Sequence, residues 1–243
     1  MNMAEKVVLV TGSSSGIGTA VARGFAGAGA AVVVNSVTST EAGTELARSL
    51  PKAAYVQGDI ALEADCARLV KSTVERFGRL DVLVNNAGTT AMIPHQDLDS
   101  VTAEVWKKIL DVNVIGTWQM IRAAAPELRR HGSGSVVNIS SLAGSRPLGS
   151  SIPYASSKAA VNHMTVLLAK ALGPDIRVNA VAPGLIDTPW TADWEVQREF
   201  VSQVAPLKRS GQPDDVAEVV VNVAGATYMT GQVVLVDGGL GLA

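Results

Sequence analysis

Short runs of Val, Ile, Leu and Ala recur along the chain: KVVLV at 6–10, AVVVN at 31–35, AAYVQ at 53–57, DVLVN at 81–85, SVVNIS at 135–140, IRVNAVA at 176–182 and QVVLVD at 232–237. Most are too uniformly apolar to leave one face in water, which is the pattern of parallel strands covered on both sides. The segments between them repeat apolar positions at helical spacing, as in TAEVWKKILDVNVIGTWQMIRAAAPEL at 102–128. Strands alternating with helices predict an α/β fold with a doubly wound, seven-stranded parallel sheet and helices on both faces. No Pro-, Gly- or Ser-rich linker, low-complexity tract or fixed-period repeat divides the chain, so one domain over 1–243 is expected.

Composition narrows the function classes. The net charge is −2, and basic residues occur singly or in short groups, so the electrostatic footprint that nucleic acid or an anionic lipid surface needs is missing. The one cysteine, Cys66, lies in an amphipathic window, LEADCARLVKSTVERF, and is read as packing. Neither a signal-peptide pattern nor an apolar stretch of about 18 residues is seen. A cytoplasmic protein without nucleic-acid or membrane partners is expected. His95, His131 and His163 are scattered without ligand spacing, so no catalytic metal is expected.

Chemistry in a doubly wound sheet is sought just past the carboxyl ends of the strands. After the first strand comes TGSSSGIG, whose Gly12, Gly16 and Gly18 sit in a turn that opens a helix. Such glycines let the backbone turn tightly and approach a pyrophosphate held against the positive end of that helix. The third strand ends in GDI: Asp59 would accept a bond from an adenine amino group with Ile60 against the ring, or would cap the next helix. The fourth ends in NNAG at 85–88, which suits either a close approach to a nucleotide or a tight structural turn. The fifth runs into ISSLAG, bringing Ser140 and Ser141 to its carboxyl end. Tyr154 and Lys158, four residues apart in YASSK, share a helix face nearby. A serine, a tyrosine and a lysine therefore converge where the glycine loop points.

These motifs together resemble the short-chain dehydrogenases/reductases in their single-domain, Rossmann-like form, and the pattern is similar to that of 3-oxoacyl-acyl-carrier-protein reductases. The resemblance covers nearly the whole chain and rests on TGSSSGIG, NNAG, Asn113, Ser141 thirteen residues before Tyr154, YASSK, PG at 183–184 and VDGG at 236–239. It implies an NAD(P)(H)-dependent oxidoreductase interconverting a carbonyl and a secondary alcohol, with 3-oxoacyl thioester reduction as the leading substrate guess. A sugar or polyol dehydrogenase of the same mechanism, or a non-catalytic cofactor sensor, is the alternative. Tyr154 would pass a proton to the carbonyl oxygen, and Ser141 would orient that carbonyl. Lys158, together with an oxidised nicotinamide, would lower the tyrosine pKa; Lys158 would also bond the nicotinamide ribose, while Asn113 would hold a water linking Lys158 to solvent. A free tyrosine has a pKa near 10; bringing it toward 7 takes roughly 4 kcal/mol of preference for the phenolate.

The cofactor residues implied are Gly12, Ser14, Ser15, Gly16, Ile17, Gly18, Asn35, Ser36, Asp59, Ile60, Asn86, Ala87, Gly88, Tyr154, Lys158, Pro183, Gly184, Ile186 and Thr188. The second strand ends in NSVTST without the acid that would repel a 2′-phosphate, so NADP(H) is favoured over NAD(H). No arginine or lysine in that stretch answers the phosphate, leaving Asn35, Ser36 and Thr38 to serve. Residues from about 188 to 210 read as a substrate lid, with Trp190 and Trp194 lining an apolar pocket or simply packing. The connection VVNVAGATYMTGQ is a few residues shorter than the family's usual one, in a region that often builds the subunit contact of a homotetramer.

Overall fold

The computed structural model describes residues 3–243. The first strand, β1 (Val7–Val10), leads into α1 (Gly16–Gly27); β2 (Ala31–Ser36), α2 (Thr40–Ser49), β3 (Ala53–Gln57), α3 (Glu63–Phe77) and β4 (Val82–Asn85) complete the first half. The second half holds α4 (Ala103–Leu110), α5 (Thr117–Arg129), β5 (Gly134–Ile139), α6 (Ile152–Leu172), β6 (Ile176–Pro183), α7 (Glu195–Val204), α8 (Pro213–Gly225) and β7 (Val233–Val236). All seven strands pair in parallel in the order β3-β2-β1-β4-β5-β6-β7. Each strand predicted from an apolar run is present within about one residue of its reading.

Strand alternation builds two cores. Val8 and Val10 of β1 point to the face covered by Val21 and Phe25 of α1 and Val216 and Val220 of α8. Leu9 between them points to the other, against Leu69 of α3 and Met120, Ile121 and Leu128 of α5. Phe25, Leu9, Leu69 and Leu128 are essentially inaccessible, and full burial of such a side chain contributes about 1.5–3 kcal/mol. Only the edge strands β3 and β7 are partly open, with Leu235 of β7 42% exposed.

The strand order reverses between β1 and β4, and there the loops following both strands meet. A Cβ at Gly12 would lie 2.7 Å from Ala87 Cα, and Gly12 has φ +60°, so neither space nor backbone admits a side chain. The long helical pattern at 102–128 is continuous but not uniform: Asp111–Gly116 forms one π-helical turn between α4 and α5, and Asn113 sits in it. Inserted π turns of this kind concentrate at functional positions. Among the described residues no helix is long and apolar enough to cross a membrane.

Candidate active site

The loops at the carboxyl ends of β1 to β6 enclose one cleft of about 790 Å³, running from the glycine loop past Tyr154 and Lys158 to Trp190, Trp194 and Phe200. At one end, α1 begins after Ser15, which makes no side-chain capping bond, so the first-turn amides and positive helix end face the cleft. This arrangement suits a phosphate. The loop is rigidly braced from behind. Asn86 Nδ2 donates to the carbonyl oxygens of Thr11 and Gly12, and Thr11 Oγ1 accepts from the amides of Asn86 and Ala87.

Asn35 is 1% exposed and its amide is directed into the scaffold: Oδ1 accepts from the Gly12 amide, and Nδ2 donates to the carbonyls of Val56 and Gly58. Its side chain therefore shapes the nucleotide end rather than offering free donors to a phosphate. Ser36, Thr38, Ser14 and Ser15 line the same end, with no acid from β2 beside them. Asp59 caps no helix, because α3 starts after Leu62; its Oδ1 instead closes a tight turn onto the Ala61 amide. Asp59 and Ile60 both line the cleft, as do Ile17, Gly88, Pro183, Gly184, Ile186 and Thr188.

At the other end, the start of α6 places the tyrosine and lysine. Ser151 Oγ accepts from the Tyr154 amide, and Pro153, which lacks an N–H, fits the first turn. The helix is then pinned to the sheet by a buried chain in which Asn85 Nδ2 donates to Asn138 and Asn138 Nδ2 donates to Thr165. The turn after β5 presses on α6 at Gly144, where a Cβ would lie 2.8 Å from the Lys158 carbonyl carbon. Ser141, at the head of that turn, accepts from the Ala143 amide and lines the cleft together with Tyr154. Ser140 is 3% exposed and donates to Asn162, which leaves Ser141 as the serine facing the tyrosine.

Lys158 is 5% exposed; its Nζ donates to the Ile139 carbonyl at 2.9 Å and lies 5.7 Å from the centre of the Tyr154 ring. Burial pushes the lysine down to about 8. In the chain alone, burial raises the Tyr154 phenol, and Ser141 offsets this only in part. The cause is desolvation of a phenolate with no cation in contact with its oxygen. The protein by itself therefore holds Tyr154 as a phenol that can donate a proton.

Asn113 is 1% exposed and stands behind the cleft wall, next to Gly88 and Lys158 Nζ. Its Oδ1 accepts from the Thr89 amide, and its Nδ2 donates to the Thr89 carbonyl and to Ser157 Oγ. Ser157 Oγ in turn donates to the Tyr154 carbonyl, so the π turn is tied to the tyrosine's own backbone. Thr11, Thr89 and Ser157 carry no motif that marks them as braces; only Ser157 lies beside the tyrosine, within YASSK. Phe200, Met92 and Leu240 on the far wall carry no such sign either, since they come from three separate segments, whereas Leu148, in the loop before Tyr154, is a residue expected to bear on substrate choice and does line the cleft. Trp190 packs edge to face on Tyr154, with ring centres 6.4 Å apart at 72°. Among the described residues no three His, Cys, Asp or Glu side chains cluster to hold a metal ion.

Comparison with known proteins agrees with this site. The sequence model of a family described as Enoyl-(Acyl carrier protein) reductase matches residues 12–241. A Streptomyces violaceoruber protein named as ketoacyl reductase 2 of the granaticin polyketide synthase is 59% identical over 236 residues, covering 96% of this chain and 95% of that protein. L-fucose dehydrogenase of Bos taurus is 38% identical, covering 97% of this chain and 89% of its own length. The structure of a short-chain type dehydrogenase/reductase from Mycobacterium ulcerans superposes with a TM-score of 0.93 at 34% identity, covering 100% of this chain and 92% of that one. A glycine loop opening α1 at the strand switch point, a serine, tyrosine and lysine at the far end of the same cleft, and matches along nearly the whole length agree: the chain belongs to the short-chain dehydrogenase/reductase family and is an oxidoreductase acting on carbonyl and alcohol groups.

Proposed function

We propose that the protein reduces the ketone of a 3-oxoacyl thioester to a secondary alcohol, with NADP(H) as its preferred cofactor. The observation that carries this reading is that Ser141, Tyr154 and Lys158 line the cleft that begins at the glycine loop, with Lys158 Nζ 5.7 Å from the Tyr154 ring centre. When bound, a reduced nicotinamide dinucleotide supplies the hydride that adds to the carbonyl carbon. The residues fit such a group: the uncapped start of α1 for its pyrophosphate, Asp59 and Ile60 for its adenine, and Lys158, whose ammonium has donors beyond the bond to Ile139, for its ribose hydroxyls.

Ser141 would orient the substrate carbonyl, and Tyr154 would give its phenol proton to the oxygen as the C=O double bond opens. The proton on Tyr154 is then replaced from solvent by way of Lys158, with Asn113 and its π turn holding the water that links them. A phenol kept protonated by burial favours the reductive direction. The hydroxyl-rich, acid-free end of β2 supports the 2′-phosphorylated cofactor, and the 59% identity to a protein named for ketoacyl reduction supports the substrate. The single chain of 1–243 would act in the cytoplasm as a homotetramer, with 188–210 as the lid over the substrate.

The test follows absorbance at 340 nm with acetoacetyl-CoA and either NADPH or NADH. Reduction with kcat/KM at least tenfold higher for NADPH is expected, and Tyr154→Phe is expected to lose about 10³-fold in turnover while still binding NADPH. Near-normal turnover by that variant would remove Tyr154 from the mechanism.

A further inference from the structure

The wall of the cleft facing Tyr154 is built from Met92, Leu148, Trp190, Trp194, Phe200 and Leu240. It carries no charge: the charged side chains that line the cleft are Asp59, Lys108 and Lys158, none of them on this wall. Its hydroxyls are already engaged. Thr191 Oγ1 donates to the Ile186 carbonyl at 2.7 Å, and Ser150 Oγ shares a 2.5 Å bond with Thr90 Oγ1. Gln197, at the exposed rim, offers one amide. Meanwhile Trp190, Phe200 and Met92 stand 47%, 57% and 49% exposed, leaving apolar surface for a ligand to cover. Because Trp190 packs on the Tyr154 ring, its indole stands beside any group attached to the carbonyl that Tyr154 protonates.

From this wall we infer the substrate class within the proposed ketoreduction, on which this inference rests: ketones whose carbonyl is carried by a flat, apolar ring system, with polyhydroxylated carbonyls and sugars rejected. Aromatic faces and edges pair well with flat partners, and four rings, Tyr154, Trp190, Trp194 and Phe200, surround this part of the cleft. A sugar placed here would bury hydroxyls against carbon, and each unpaired hydroxyl costs a factor of about 10 or more in binding. Trp190 is the specificity-determining residue. In the step, hydride from the reduced nicotinamide adds to the ketone carbon, the Tyr154 proton goes to its oxygen, and the products are the secondary alcohol and the oxidised cofactor.

The experiment compares 2-tetralone, acetoacetyl-CoA and L-fucose, the first two as oxidants of NADPH and the last as reductant of NADP⁺ or NAD⁺. Reduction of 2-tetralone with kcat/KM at or above that for acetoacetyl-CoA, and at least 10³-fold above that for L-fucose, is expected. Trp190→Ala is expected to lower the tetralone-to-acetoacetyl-CoA preference tenfold or more, chiefly through KM, and Trp190→Phe to restore most of it. Turnover of acetoacetyl-CoA without tetralone, efficient oxidation of L-fucose, or an equal loss on both ketones in Trp190→Ala would overturn the inference while leaving the proposed ketoreduction standing. A folded protein that binds NADPH yet turns over neither ketone would overturn both.

Discussion

Lys158 shows how a buried charge in the cleft is maintained against stability. An unfolded chain holds the lysine proton to about pH 10.5, whereas burial brings the folded value to about 8. Between these values the unfolded chain binds more protons, so this residue makes stability rise with pH across that window, and the cost of burying its charge is complete below pH 8. The shift corresponds to about 3 kcal/mol, part of which the bond to the Ile139 carbonyl offsets. Lys158→Met is therefore expected to be more stable than the parent by about 1–3 kcal/mol in urea melts at pH 7, to lose that advantage above about pH 10.5, and to lose most activity. A variant less stable at pH 7 would mean that the Ile139 bond outweighs desolvation. The same burial raises Tyr154, so the tyrosine and lysine are set in opposite directions by one apolar enclosure, the phenol staying protonated and the ammonium readily giving up its proton.

Among the elements, the connection between α8 and β7 is held by side chains from the neighbouring strand. Arg177 of β6 donates to the carbonyls of Val223, Ala224, Ala226 and Met229, closing the end of α8 and the turn after it. Asn179 adds a bond to the Met229 carbonyl and accepts from the Gln232 amide. Arg177→Met would leave several carbonyls without a donor, at a cost of about 2–4 kcal/mol, and Tm is expected to fall by about 5–15 °C with KM for cofactor unchanged. An unchanged Tm in a thermal melt would show that water replaces the guanidinium. None of this bracing could be read in advance, because a lone arginine in IRVNAVA carries no sign of which carbonyls it will meet. The strands themselves were legible, since parallel strands buried on both faces read as unbroken apolar runs. The π turn at 111–116 was not: DVNVIG keeps helical periodicity on both sides, and the extra residue shows only in the backbone. Ser141, Tyr154 and Lys158 were legible because their spacing along the chain survives into the site, whereas the aromatic wall is assembled from distant loops and exists only after folding.

For the whole molecule, the surface left after the two cores close is uneven. Ile115 and Trp118, at the π turn and the start of α5, and Val166 and Leu167 on α6 are 45%, 43%, 46% and 56% exposed, and the π turn packs against α6 beside the cleft. Apolar side chains grouped on adjoining helices are more than scattered surface residues and suit coverage by a second copy. The same helices carry Asn113, Tyr154 and Lys158, so their outer faces bear on the geometry of the cleft. Self-association over this face would immobilise α6 from outside, as the Asn138–Thr165 bond does from inside. Light scattering is expected to give a particle of about four times the 25.1 kDa of one chain. The double variant Trp118→Lys, Leu167→Glu is expected to reduce that mass at least twofold and to lower kcat for ketone reduction, with NADPH binding, proposed to rest mainly on the glycine loop, changed by less than about threefold. An unaltered mass in that variant would place the subunit contact elsewhere, and a monomeric parent protein would show that the chain closes its cleft alone.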